Sequence, residues 1–180
     1  MITRRNFLLS STAAAVTVSG PYFKGKAYAA GDADIGIATG TDIDAIVRAA
    51  VASVGGIEKF VKSGDQVAVK PNLSFASPVS RAATTNPAVV GSVVKLCLEA
   101  GAKRVIVMDH PLQDAAIIGD KAEVAQVVNE IDGASMFLPT TENMYHEVEI
   151  PRGKEMKNTQ VISLLDEMDV LINVPIAKNH

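Results

Sequence analysis

Three short groups of residues carry most of the chemistry open to this chain. Lys70-Pro71-Asn72 follows one apolar run, Asp109-His110 follows a second, and Asn173, Lys178 and His180 follow a third. An ammonium stabilises developing negative charge, an imidazole moves protons near neutral pH, and a carboxamide both donates and accepts. Lys70, His110 and His180 are the candidate catalytic residues, Lys70 for electrostatic stabilisation and either histidine for general acid–base work. Asp109 is the candidate to orient a histidine or to ligate a metal. Asn72, Thr85, Asn86, Asn173 and Lys178 are the candidate ligand-binding residues. Each also has a plainer structural reading. Lys70 is a solvated charge, Asn72 a turn former and Asn86 a helix cap. Asp109 shapes the loop before Pro111, and Asn173 bonds neighbouring backbone.

These groups matter jointly only if the fold brings them to one place. Val67-Ala68-Val69, Val105-Ile106-Val107-Met108 and Val170-Leu171-Ile172 are short continuous apolar runs, the pattern of buried parallel strands. Ile35-Gly36-Ile37-Ala38 reads as a first strand. Between the strands lie helical spacings. Ile43, Ile46, Val47, Ala50, Val51 and Val54 share one helix face, with Thr41 as its N-cap and Gly55-Gly56 at its end. Asn86-Pro87 opens a helix that runs to Glu99-Ala100-Gly101. Further helices are expected over 122–131 and 161–167, and strands near Phe137 and Val148. Strand alternating with helix predicts an α/β fold, a mostly parallel sheet with helices on both faces. In open parallel sheets, ligands bind beyond the carboxyl ends of the strands. Lys70, Asn72, Asp109, His110, Asn173 and Lys178 all fall on that edge, and the helix opened by Asn86 begins beside it.

Composition closes off other classes. The chain has 180 residues, is 48% apolar and 21% charged, and carries a formal charge of −3. It is neither disordered nor basic, so nucleic acid is not an expected partner. With 4% aromatics and no Trp it lacks a stacking platform for single strands. One cysteine, Cys97, excludes a disulfide scaffold and any iron–sulfur cluster held by this chain alone. Cys97 lies in an apolar helical run and reads as a small buried hydrophobe. The glycines match no phosphate-binding fingerprint; Gly36 and Gly40 alone are a turn signal. His146, Glu142, Glu147 and Glu149 read as solvated surface. No cofactor can be named.

The first thirty residues read as an address. Thr3-Arg4-Arg5-Asn6-Phe7-Leu8 is similar to the twin-arginine export motif, with Arg4, Arg5 and Phe7 at its centre. The apolar run behind it, from Phe7 to Val18, spans about 12 residues, against about 20 for a helix that crosses a bilayer. Ala27 and Ala29 form a small-x-small site for signal peptidase. Cleavage there removes four basic and no acidic residues, leaving a formal charge of −7 on 30–180. The expectation is a signal over 1–29, an α/β domain over 30–180, a periplasmic location, the twin-arginine translocase and signal peptidase as partners, and no permanent membrane span.

The blocks Val67-Ala68-Val69-Lys70-Pro71-Asn72-Leu73, Thr84-Thr85-Asn86-Pro87-Ala88-Val89-Val90, Gly101-Ala102-Lys103-Arg104-Val105-Ile106-Val107 and Val170 to His180 resemble, in order and spacing, the family known as domain of unknown function 362. The resemblance runs from about Gly64 to His180. It implies a link to iron–sulfur or redox proteins, since some members carry Cys-rich modules, but this chain has none. It also implies a longer protein, because members continue past the Lys178-x-His180 block. The chain is therefore expected to be a truncated or partial member, its sheet incomplete. A more distant likeness, through Lys70-Pro71-Asn72, is to lactate-racemase-like nickel-pincer enzymes. Two readings of function follow: an exported domain with a small-anion, cofactor or metal site at its strand ends, or a non-catalytic partner or maturation subunit of an exported redox complex. An inactive fragment is the third.

Overall fold

The computed structural model describes residues 15–16, 26–28, 34–121 and 123–178. The export motif Arg4-Arg5-Phe7, Ala29 of the cleavage site, and His180 lie outside the described residues. The chain divides into two compact units, Met1–Phe60 and Val61–His180.

In the first unit, three short strands, β1 (Ala15–Val16), β2 (Lys26–Tyr28) and β3 (Ile37–Thr39), form an antiparallel sheet in that order. Ala27 pairs with Ala38. Helix α1 (Ile43–Ser53) follows. Its cap is Asp42, one residue later than Thr41: the Asp42 carboxylate accepts from the Ala45 N–H at 3.1 Å. A carboxylate at this end satisfies a free N–H and also faces the positive end of the helix dipole. Gly36 serves packing here. A Cβ at that position would lie 1.9 Å from the Ser53 hydroxyl, so strand and helix approach only because residue 36 has no side chain.

The second unit is built on four parallel strands in the order β6-β5-β4-β9. They are β4 (Gln66–Pro71), β5 (Arg104–Met108), β6 (Ala134–Phe137) and β9 (Val170–Val174). Val67, Ala68, Val69, Val105 and Val107 are fully buried, as continuous apolar runs in a covered sheet require. Helices α2 (Pro87–Glu99) and α4 (Glu123–Asn129) pack on one another and against β4, β5 and β6. Gly91 of α2 allows that approach, since a Cβ there would meet Val127 at 2.7 Å. Ala68, Ile106 and Met108 pack instead against Leu164, Leu165 and Met168, in and just after a 3-10 helix over Ser163–Glu167. The α/β architecture, a parallel sheet with helical cover, is thus realised. Among the described residues no helix is long and apolar enough to cross a membrane.

Three local expectations are corrected. Helix α3 (Ala115–Lys121) was not anticipated; the Asp114 carboxylate starts it by accepting from Ala116 at 2.8 Å. The segment 161–167 is not one helix. Its first two residues close strand β8 (Asn158–Ile162), which pairs antiparallel with β7 (Tyr145–Glu149), and the 3-10 turn follows. Finally, β9 is not fully buried. Its residues alternate, and Leu171 is 49% exposed, because β9 stands at the end of the sheet order.

Cys97 is fully buried on α2, and burial pushes its thiol up to about 11. The folded state therefore disfavours the thiolate. Its contribution to stability is complete below the ordinary thiol range and is lost as pH rises through about 11. Ellman's reagent at about pH 8 should leave the native chain unlabelled and titrate one thiol after denaturation. Rapid labelling of the native chain would contradict this burial.

Candidate functional site

Because β4, β5 and β9 run parallel, their carboxyl ends share one edge. Val69 is level with Val107 and Ile172, and Lys70 with Asn173. The next residues out are those the sequence singled out.

Asp109 organises this edge. It is 3% exposed, and its two carboxylate oxygens meet three donors. Oδ1 faces the Lys70 ammonium at 2.7 Å and the His110 backbone N–H at 2.9 Å. Oδ2 accepts from the Leu73 N–H at 2.7 Å. A buried carboxylate is costly unless it is paired and hydrogen-bonded, and here it is both. Its role is counter-ion and clamp across the exits of β4 and β5. Among the described residues no group of three or more His, Cys, Asp or Glu is placed to hold a metal ion.

Thr85 makes the second clamp. Its hydroxyl accepts from the Asn72 N–H at 2.9 Å and donates to the Val174 carbonyl at 2.8 Å. Its own N–H donates to the Asn72 carbonyl at 3.0 Å. One buried side chain thus joins the ends of β4 and β9 to the segment that opens α2. Asn86 caps α2, its Oδ1 accepting from the Ala88 N–H at 2.9 Å. The Asn72 amide donates to the Ser74 hydroxyl at 3.2 Å. Lys178 donates to the Ala83 carbonyl at 2.8 Å and lies 5.8 Å from the Phe75 ring centre.

The structure therefore brings together Lys70, Asn72, Thr85, Asn86, Asp109, His110, Asn173 and Lys178, and sorts them. Thr85 and the backbone of Asn72 are engaged in holding the strand ends, and Asn86 in capping α2. Lys70, with 47% of its side chain exposed, Asn173 and His110 remain toward solvent.

Sequence reasoning missed one neighbour. Tyr145, at the start of β7, places its hydroxyl 2.6 Å from His110 Nδ1, with the two rings edge to face. Desolvation raises the Tyr145 phenol above its ordinary value. The pair lines a cleft of about 770 Å³ that reaches Thr140, Glu142, Thr159 and Ile162. Glu142 reads as surface in the sequence because the stretch is polar, and Tyr145 is assigned no role there. The alternation of Tyr145, Glu147 and Glu149 with His146 and Val148 was the available signal of a strand.

Removing either partner of the Lys70–Asp109 pair should cost unequal amounts. Asp109→Asn places an amide among three donors and strands the ammonium, a loss of about 3 kcal/mol. Lys70→Met leaves the carboxylate with two backbone N–H groups, a loss of about 1 kcal/mol, since the Lys70 side chain is half exposed. Urea titration of both variants checks the order; equal losses would remove Asp109 from its organising role.

The family comparison falls on this same unit. The model of the family described as domain of unknown function (DUF362) matches residues 67–180. The thylakoid-associated protein sll1697 of Synechocystis sp. is 31% identical over 143 residues. That alignment takes in 76% of this chain and 40% of the relative, so the chain spans well under half of the relative's length. No solved structure matches the chain. The match from Val67 onward contains both clamps and the sheet that carries them: the chain belongs to the DUF362 family.

Proposed function

We propose that the chain is an exported α/β ligand-binding module that takes a small anion at the carboxyl ends of β4, β5 and β9. The observation that carries this reading is the half-exposed side chain of Lys70, whose ammonium stands on a buried carboxylate. The 2.7 Å contact uses one of three N–H bonds, and two are left for a ligand. The Asp109 charge is already spread over two backbone N–H groups, which leaves the outer side of the pair positive. Asn173, level with Lys70 on the neighbouring strand, adds a carboxamide. His110, anchored through its own N–H, adds an imidazole.

In this reading Lys70 supplies the charge, and Asn173 and His110 set orientation. Asp109 acts through Lys70 by fixing its ammonium. Anything that binds the folded state stabilises it by mass action, about 2.7 kcal/mol at a hundredfold excess over Kd. Inorganic phosphate, sulfate or malonate should therefore raise the Tm of the chain, and Lys70→Met should abolish the rise while remaining folded. A rise retained in Lys70→Met, or none with any of the three anions, overturns the anion site.

The extracytoplasmic part of the proposal rests on Arg4-Arg5-Asn6-Phe7 and on Ala27 and Ala29. Expressed in a bacterium that carries the twin-arginine translocase, the chain should yield a periplasmic species beginning at Ala30. The double variant Arg4→Lys, Arg5→Lys should leave full-length precursor in the cytoplasm. Processing that ignores the double variant would assign the segment to another export route.

A further inference from the structure

The cleft beyond β5 differs in chemistry from the Lys70 edge. It lies between His110 and the β7–β8 ladder, with Ile162 and Leu165 as its apolar side. Its volume, about 770 Å³, is in the range of sites that enclose a small organic molecule. Among the described residues no lysine or arginine lines it, and Glu142 is the one acidic side chain that does. A carboxylate or phosphate there would meet a like charge and no cation, so the cleft selects against anions.

The polar groups that remain are of one kind. Thr140, Thr159 and Gln160 each both donate and accept. The Tyr145 hydroxyl and His110 Nδ1 lie 2.6 Å apart in a hydrogen bond whose donor is set by the imidazole tautomer. In either tautomer the couple keeps Nε2 and the phenol oxygen for further hydrogen bonds. Groups that donate and accept match hydroxyls, which do the same. Anionic oxygens only accept. Ile162 and Leu165 supply the apolar surface against which the C–H face of a ring can rest.

We propose that this cleft is a second binding site, for an uncharged, hydroxyl-bearing molecule of nucleoside or glycoside size, held by Tyr145, Thr159, Gln160 and the His110 imidazole. It shares His110 with the anion site, but the Lys70 ammonium that carries that site is not among the groups that line the cleft.

Saturation-transfer NMR and calorimetry on the 180-residue chain test the proposal with adenosine, uridine and methyl glucoside, each against its phosphorylated counterpart. At least one neutral probe should bind, and its phosphorylated form should bind at least tenfold more weakly. Tyr145→Phe keeps the ring and removes the hydroxyl. Thr159→Val keeps the shape at an exposed strand position. Each should weaken the neutral probe about three- to tenfold. Absence of binding by all three neutral probes, equal or tighter binding of the phosphorylated forms, or affinity untouched by both cleft variants overturns the proposal. Phosphate failing to stabilise the chain while a neutral probe binds would remove the anion reading and leave this one standing.

Discussion

The buried carboxylate of Asp109 is the constraint on which this sheet edge depends. A charge at 3% exposure has lost most of its water and must be repaid by the protein. Repayment comes from Lys70, Leu73 and His110, which belong to two different strand exits. Meeting that need fixes the path of the chain after β4 and after β5 together. His110 leaves the sheet in a set direction because its own N–H is one of the three donors. The cleft that His110 lines, and its contact with Tyr145, follow from that direction.

Thr85 solves the matching problem on the other side of β4. Strand ends in a parallel sheet leave backbone groups without ladder partners, and such groups are seldom left unpaired when buried. The Thr85 hydroxyl answers one N–H and one carbonyl at once, from Asn72 and Val174. Both clamps meet on the exit of β4, one through Leu73 and the other through Asn72. The segment 70–73 is therefore held from both neighbouring strands. This is why several residues with the chemistry of ligand contacts serve the backbone, while Lys70, His110 and Asn173 are left to face outward.

The sheet was legible in the sequence because burial on two faces writes itself as unbroken apolar runs. Val67-Ala68-Val69 and Val105-Ile106-Val107-Met108 could be little else, and Asn86-Pro87 states a helix start by its own stereochemistry. The edge strand was read too simply. Val170-Leu171-Ile172 looks like a covered strand, but at the end of the sheet order its alternate side chains reach solvent. The β7–β8 ladder was half hidden, since Asn158, Thr159 and Gln160 are exposed and carry no apolar pattern. The clamps themselves were beyond sequence reasoning. Leu73 and Asp109 are 36 positions apart and meet through a backbone N–H, which no residue type announces. The placement of Asp109 on the correct edge was legible; its role as the hub was not. His110 and Tyr145 are 35 apart, and neither lies in a periodic pattern that points to the other.

The residue type at position 70 decides whether the clamp can also be a site. An arginine beside Asp109 would lay two parallel N–H bonds on the carboxylate and spend its fork there. Lysine is a point charge on a flexible stem, and it satisfies Asp109 with one bond at 2.7 Å. Its side chain is 47% exposed, so the ammonium keeps contact with solvent while the carboxylate below is sealed. The pair is asymmetric for that reason. One partner is committed to the fold through two further backbone bonds, and the other is committed on one side only. In the proposed anion site a ligand would displace water from Lys70 rather than a protein group. That is a smaller cost than at Lys178, whose ammonium is engaged with the Ala83 carbonyl and shielded by Phe75. Of the two lysines on the edge, Lys70 is the one whose charge is free to act on a ligand without loosening the strand ends.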